Sequence, residues 1–272
     1  MNALSPTFLD AALEVARDAA AAAAEVIHRY YRGRFETRIK DDASPVTQAD
    51  VESEAAIRRV LRGAYPDHAI YGEEQGFDGG PDAGSVAGKE RDFLWLVDPI
   101  DGTKSFVRGF PMFSTQIALM HRGVLLLGVS CASEFGETAW ARHGGGAYLN
   151  GAVLRVADTS RIDAASISTG NLKSLARGAR WNALGELLTQ VNRGRGYGDF
   201  YHYHLLAQGS LDVVIESDVN ILDIAALAVI VREAGGVFSD LDGAELDLDT
   251  RSVLATTPKL HEELLAQFKG WI

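Results

Sequence analysis

Trp95-Leu96-Val97-Asp98-Pro99-Ile100-Asp101-Gly102-Thr103 is the stretch from which this chain is best read. The apolar run over 93–97 reads as a strand, and it drives into two aspartates held apart by Pro99 and Ile100. Pro99 fixes one φ angle, and Gly102 lets the backbone approach a ligand closely. A strand that ends in an acidic turn would account for Asp98 and Asp101 as turn formers. Two carboxylates this close can also share one cation or bind two from neighbouring corners. Carboxylate and carbonyl oxygens are the ligands of hard divalent ions such as Mg²⁺, so the stretch points to metal-assisted chemistry on an oxyanion.

The rest of the composition narrows the class. The chain has 272 residues, 47% hydrophobic and 23% charged, enough for one large domain or two closely packed ones. A net charge of −11 argues against nucleic-acid binding by bulk electrostatics, while metal ions can still invert the local field for a phosphate. No apolar stretch approaches the ~18 residues of a membrane span. Residues 1–10 lack a basic region followed by an apolar core, so a cytoplasmic location is expected, with no membrane or nucleic-acid partner. Cys131 is the only cysteine, which excludes an intrachain disulfide and a thiolate zinc cluster; it reads as a small buried hydrophobe.

Outward from the stretch, residues 6–32 are alanine-rich without Gly or Pro beyond Pro6 until the end and predict a long helix, and 34–39 a short strand. Pro45-Val46-Thr47 leads into a helix over 47–64 with Thr47 as N-cap. A strand over 69–71 ends at Gly72-Glu73-Glu74, and the Gly-rich segment 77–90 reads as a loop. Strands over 93–97, 114–121, 124–130 and 137–142, separated by turns at Arg122-Gly123 and Gly144-Gly145-Gly146, predict an antiparallel meander covered by the first two helices. Beyond about Val156, strands at 165–168, 195–197 and 213–215 alternate with helices at 181–192, 200–208 and 221–234. Short strands at 237–238 and 253–255 and a closing helix over 259–268 follow. This second texture is α/β in style. The expected organisation is an α+β half over 1–155 and an α/β half over 156–272, with a cleft between them.

Four acidic places recur at element ends, each beside apolar sequence: Asp50, Glu73-Glu74, Asp98 with Asp101, and Asp223. Clustered carboxylates are expensive unless cations neutralise them, and a metal cluster makes sense of the whole set. The nonamer 95–103 resembles the signature of the inositol monophosphatase superfamily, Mg²⁺-dependent and lithium-sensitive phosphomonoesterases. Gly72-Glu73-Glu74 matches that family's Gly-Glu-Glu, and Pro45-Val46-Thr47-Gln48-Ala49-Asp50 resembles its Val-Thr-x-x-Asp. Leu222-Asp223-Ile224-Ala225-Ala226, followed by Glu233-Ala234-Gly235-Gly236, resembles its second signature, with Leu222 where the family usually has Trp.

The resemblance implies a layered αβαβα sandwich of the inositol monophosphatase and fructose-bisphosphatase type, mixing α+β with α/β, and a homodimer. It implies two or three Mg²⁺ ions held by Glu73, Asp98, Asp101, Asp223 and the Ile100 carbonyl. Thr103 is then expected to hydrogen-bond the attacking water, with Asp50 accepting the proton through the hydroxyl. The N–H groups of Gly102 and Thr103 would cradle the phosphate. Glu74 either orients a bound water or metal or is simply solvent-exposed, and Lys40 either adds positive charge near the site or is solvated.

For the substrate, a small phosphate ester, the second half matters. Asp199 lies where inositol-type enzymes usually carry a small residue, and a carboxylate there suits an amine or imidazolium; a helix N-cap role would equally explain it. Glu216, seven residues before Asp223, matches the family's glutamate for substrate hydroxyls. The run Gly102-Thr103-Lys104-Ser105-Phe106-Val107-Arg108-Gly109-Phe110-Pro111 looks most like histidinol-phosphatase members. L-histidinol phosphate is therefore the expected substrate, ahead of an inositol monophosphate and a 3′-phosphonucleotide. His202 and His204 read as packed or exposed rather than as ligands. A regulatory relative without turnover is the reading from another class; the retained Glu73, Asp98, Asp101, Thr103 and Asp223 argue against it.

Overall fold

Leu94 and Leu96 face one side of their strand and Trp95 and Val97 the other, yet all four are buried. Successive strand residues point to opposite faces, so this strand belongs to a sheet covered on both sides. The computed structural model describes residues 4–33, 37–39, 45–79 and 92–270. Lys40, residues 34–36 of the first expected strand and 80–90 of the expected loop lie outside the described residues.

The elements in chain order are α1 (Pro6–Tyr30), β1 (Thr37–Ile39), β2 (Pro45–Thr47), α2 (Gln48–Ala64), β3 (Ala69–Gly72), β4 (Gly76–Asp78), β5 (Leu94–Asp101), α3 (Thr103–Val107), β6 (Ser114–His121), β7 (Val124–Ala132), β8 (Glu137–Arg142), β9 (Gly146–Leu149) and β10 (Ala152–Val153). The second part adds β11 (Ser166–Thr169), α4 (Leu172–Leu175), α5 (Trp181–Gln190), β12 (Arg193–Arg195), α6 (Asp199–Ala207), β13 (Val213–Ser217), α7 (Ile221–Glu233), β14 (Val237–Ser239), β15 (Ser252–Thr256) and α8 (Pro258–Phe268).

Three apolar clusters stack these elements into five layers. Ala12, Ala16 and Ala19 of α1 and Ile57 and Leu61 of α2 pack on Trp95, Val97, Ile117 and Leu119 of an eight-stranded sheet ordered β10-β9-β8-β7-β6-β5-β3-β4. The small alanine side chains let α1 lie close to the sheet. On the opposite face, Leu94, Leu96 and Met120 meet Ile224, Leu227 and Ala228 of α7, which in turn reach Val214, Val253 and Ala255 of a five-stranded sheet ordered β12-β11-β13-β15-β14. Leu184, Leu187, Leu260, Leu264 and Phe268 cover the far side of that second sheet. The layering is αβαβα. Helix α7 is apolar all round because it lies between two sheets.

The differences from expectation have physical reasons. The first two helices cover only one face of the meander; α7 covers the other. β3 runs parallel to β5, and residues 77 and 78 of the expected loop belong with Gly76 to β4, antiparallel to β3. In the second sheet β11, β12 and β13 are parallel while β15 is antiparallel to both its neighbours, so the sheet is mixed. Helix α1 stops at Tyr30 because Arg32 takes a left-handed φ of 58°. β5 does not stop at Val97 but continues through Pro99 to Asp101. Asp98 pairs with Gln116 and Asp101 with Ser114, so the register shifts between them. Such a bulge accommodates a proline and re-aims side chains; here it turns both aspartates toward the same ligand space.

Candidate active site

The site forms where β5 ends. Asp98 is buried at 2% exposure, and its Oδ1 accepts the N–H of Ile100 at 2.9 Å. Gly102 then takes φ 93° at the N-cap of α3, a left-handed conformation that favours glycine. A Cβ there would lie 2.5 Å from the Met112 carbonyl oxygen, so the turn requires glycine. Asp223 arrives from the second half as the third residue of α7, its Oδ2 accepting the Asn220 N–H at 2.9 Å in a capping box. Carboxylate oxygens of Asp98, Asp101 and Asp223 all lie within 4.8 Å of one another. With Glu73 they line a cavity of about 230 Å³ that also takes in Ile100, Gly102, Thr103, Lys104, Asp199 and Glu216.

Among the described residues, six carboxylates and one ammonium group, Lys104, line this cavity. Burial pushes Asp98 well above the ordinary carboxylate range, and Glu73, Asp223 and Asp101 push it the same way. Asp101 is raised likewise, by burial and then by Asp199, Asp223 and Glu216. Asp223 reaches about 7, burial outweighing its bond from Asn220. Such carboxylates hold their protons unless a cation replaces them. Carboxylate oxygens converging in this way fit a hard divalent cation, and the Ile100 carbonyl offers one further oxygen.

Asp50 reconciles two readings of its sequence position. It closes a capping box at the start of α2, Oδ2 accepting from the Thr47 N–H at 2.7 Å and the Thr47 hydroxyl at 2.5 Å. Its other oxygen, Oδ1, accepts the Thr103 hydroxyl at 3.1 Å. That hydroxyl has a second acceptor, the Ile100 carbonyl, at 3.0 Å. Burial raises the Asp50 carboxyl, against the bonds from Thr47 and Thr103.

Asp199 lies in the cavity wall and is not an N-cap: Gly198 occupies the cap, and Asp199 is the first helical residue, at φ 45°. Its carboxyl is pushed up to about 6 by burial and by Glu216, against His202 and Lys104. Glu216 is buried at 5% exposure, and its Oε2 accepts the Tyr203 hydroxyl at 2.7 Å and lies 3.1 Å from His202 Nε2. His202 Nδ1 is 3.2 Å from Ser168 Oγ, which accepts the Tyr197 N–H at 3.0 Å. His202 is thus packed, orienting Glu216 rather than binding a ligand. Glu74 is not brought into the cavity wall; it sits half-buried in the turn after β3, its N–H donating to Glu54 Oε2 at 2.6 Å. Tyr203 and Asn171 line the cavity without having been singled out in sequence. Tyr203 could have been found, since it lies one helical turn beyond Asp199; nothing in the sequence around Asn171 distinguishes it.

A layered αβαβα fold with carboxylates converging at a strand end beside a helix start is an arrangement suited to a phosphoric monoester hydrolase. The chain belongs to the inositol monophosphatase family, whose model matches residues 9–270; the family is generally Mg²⁺-dependent, in keeping with the acidic cluster. The chain is 39% identical to a histidinol-phosphatase of Mycobacterium tuberculosis over 255 residues, 91% of this chain and 94% of that protein. It is 33% identical to an inositol-1-monophosphatase of Mesorhizobium japonicum, covering 86% of each. A crystal structure of the extragenic suppressor protein suhB from Bartonella henselae superposes with a TM-score of 0.84 at 28% identity, covering 96% of this chain and all of that one. Among the described residues no helix is long and apolar enough to cross a membrane.

Proposed function

We propose that this chain hydrolyses L-histidinol phosphate to L-histidinol and phosphate. The observation that carries this reading is Asp199, a carboxylate in the same cavity wall as the cation cluster, with Glu216 beside it. Histidinol carries an ammonium group and an imidazole, and two carboxylates facing the leaving alcohol favour such a cation over a neutral polyol. The 39% identity to a histidinol-phosphatase supports the same substrate.

Glu73, Asp98, Asp101, Asp223 and the Ile100 carbonyl would hold two or three Mg²⁺ ions, with Li⁺ as an expected inhibitor. Bound Mg²⁺ supplies positive charge to the ester oxygens and makes water far more acidic. The protein's own residues do the rest. Thr103 Oγ1 has one proton and two acceptors within reach. Donation to Asp50 leaves the oxygen's lone pairs to take a proton from the attacking water, while Asp50 receives the hydroxyl's own. The first N–H groups of a helix have no intrahelical partner, so those at Gly102 and Thr103 are available to the phosphate oxygens. Asp199 and Glu216 receive the alcohol.

Glu216 can also accept a sugar hydroxyl, which keeps an inositol monophosphate as the second reading, in line with the 33% identical relative. A homodimer in the cytoplasm completes the proposal. The test is kcat/KM at saturating Mg²⁺ for L-histidinol phosphate, myo-inositol 1-phosphate and a 3′-phosphonucleotide. The reading expects the first to lead; a lead for the inositol ester would overturn the substrate and leave the reaction intact.

A further inference from the structure

Glu54 lies on α2, outside the cavity wall, and is fully buried. Its Oε2 accepts the Glu74 N–H at 2.6 Å; its Oε1 accepts the Gln75 N–H at 3.1 Å and the Arg58 Nε–H at 2.7 Å. Arg58, one turn further along α2 and 8% exposed, donates from Nη2 to the Gly76 carbonyl at 2.6 Å. Gly72 is fitted against the same carboxylate, since a Cβ there would lie 2.4 Å from Glu54 Oε1. Residues 72, 74, 75 and 76 therefore all meet the Glu54–Arg58 pair, and together they bracket Glu73. Glu73 itself is tied on the other side, its N–H donating to the Val97 carbonyl at 3.1 Å, one residue before Asp98.

A buried ion pair is an inefficient way to stabilise a fold, because desolvation offsets much of its attraction. A three-residue link between antiparallel strands needs none. What a buried carboxylate adds is direction: two N–H groups on one rigid acceptor, strengthened by its charge. We propose that Glu54 and Arg58 are positioning residues for Glu73, locking the β3–β4 turn so that its carboxylate stands ready for the divalent cation beside Asp98. This rests on Glu73 being a cation ligand.

The test is calorimetric Mn²⁺ titration of the metal-free full-length protein. Partners behind a ligand typically govern affinity by about 10–100-fold, and Glu54→Gln and Gly72→Ala should each weaken binding within that range. Leu61→Ala, which opens the core beneath the same helix without touching the turn, should lower the melting temperature and leave Mn²⁺ affinity at the wild-type value. Glu54→Gln in a Glu73→Gln background should cause no further loss, because the pair acts through Glu73. Wild-type affinity in Glu54→Gln, or additive losses in the double variant, would overturn the inference. Should Glu54→Gln fail to fold, Arg58→Lys, which loses the bond to Gly76, should show a smaller weakening, and wild-type affinity there would equally overturn it. If Glu73→Gln alone binds Mn²⁺ as tightly as wild type, the failure lies instead in the assignment of Glu73 as a ligand.

Discussion

Asp223→Asn should stabilise the metal-free protein, by a margin over wild type that shrinks once Mg²⁺ is present. The Asp223 carboxyl titrates at about 7 in the folded protein against an ordinary 3.8. A raised carboxyl pKa means that the folded state holds its proton more tightly than the unfolded chain does. Stability is therefore unaffected below pH 3.8, falls as pH rises toward 7, and is flat above it. The gap, at ~1.4 kcal/mol per pH unit, comes to about 4 kcal/mol. Asparagine keeps a carbonyl oxygen for the Asn220 N–H that Asp223 now accepts, so the variant loses the charge and little else. In EDTA, urea unfolding should find the variant close to wild type at pH 4 and more stable by about 4 kcal/mol at pH 8. With Mg²⁺ at a hundred times its dissociation constant, wild type gains about 2.7 kcal/mol through binding to the folded state alone, and the variant, short of one ligand, gains less. A variant less stable than wild type at pH 8 in EDTA, or a difference independent of pH, would refute the view that burial beside other carboxylates penalises the Asp223 charge.

Thr103→Val and Asp50→Asn should each lower kcat by about 10²–10⁴-fold, the usual worth of a positioned proton acceptor, with the Mg²⁺ concentration for half-maximal rate unchanged; a shift in metal requirement instead would put Thr103 among the ligands' supports. Asp199→Asn should lower kcat/KM for L-histidinol phosphate roughly tenfold or more, as expected for a hydrogen bond to a charged group, and leave myo-inositol 1-phosphate nearly unaffected. Tyr203→Phe removes one of the donors on Glu216 Oε2, and should raise KM for the preferred ester more than it lowers kcat, read from steady-state kinetics at saturating Mg²⁺.

Much of the site was legible because its residues sit at element ends with short, specific spacing. Asp98 and Asp101 lie on one strand and its bulge, and the Gly102 turn follows from the same nine residues. Asp50 and Asp223 each sit at the third position of a helix behind a capping residue, Thr47 or Asn220. Local sequence can carry such features, since caps and turns are made by neighbours. The support behind the carboxylate cluster was not legible. Glu54 reaches Glu74 and Gln75 across twenty and twenty-one residues, and His202 reaches Glu216 across fourteen; these contacts exist only once α2 lies on the first sheet and α6 on the second. The central position of α7 was missed for a related reason. Its all-round apolar surface is compatible with any buried helix, and only the fold says that two sheets enclose it. The extension of β5 through Pro99 also escaped sequence reading, because a proline ordinarily argues against an interior strand.

The most direct measurement is phosphate release from L-histidinol phosphate by the purified protein, followed in one sample through EDTA treatment and Mg²⁺ restoration. The cluster of Glu73, Asp98, Asp101 and Asp223 as a divalent-cation site for ester hydrolysis requires turnover that stops with EDTA, returns with Mg²⁺ and is absent at both stages in Asp98→Asn. Turnover that survives EDTA, or persists in Asp98→Asn, would contradict it.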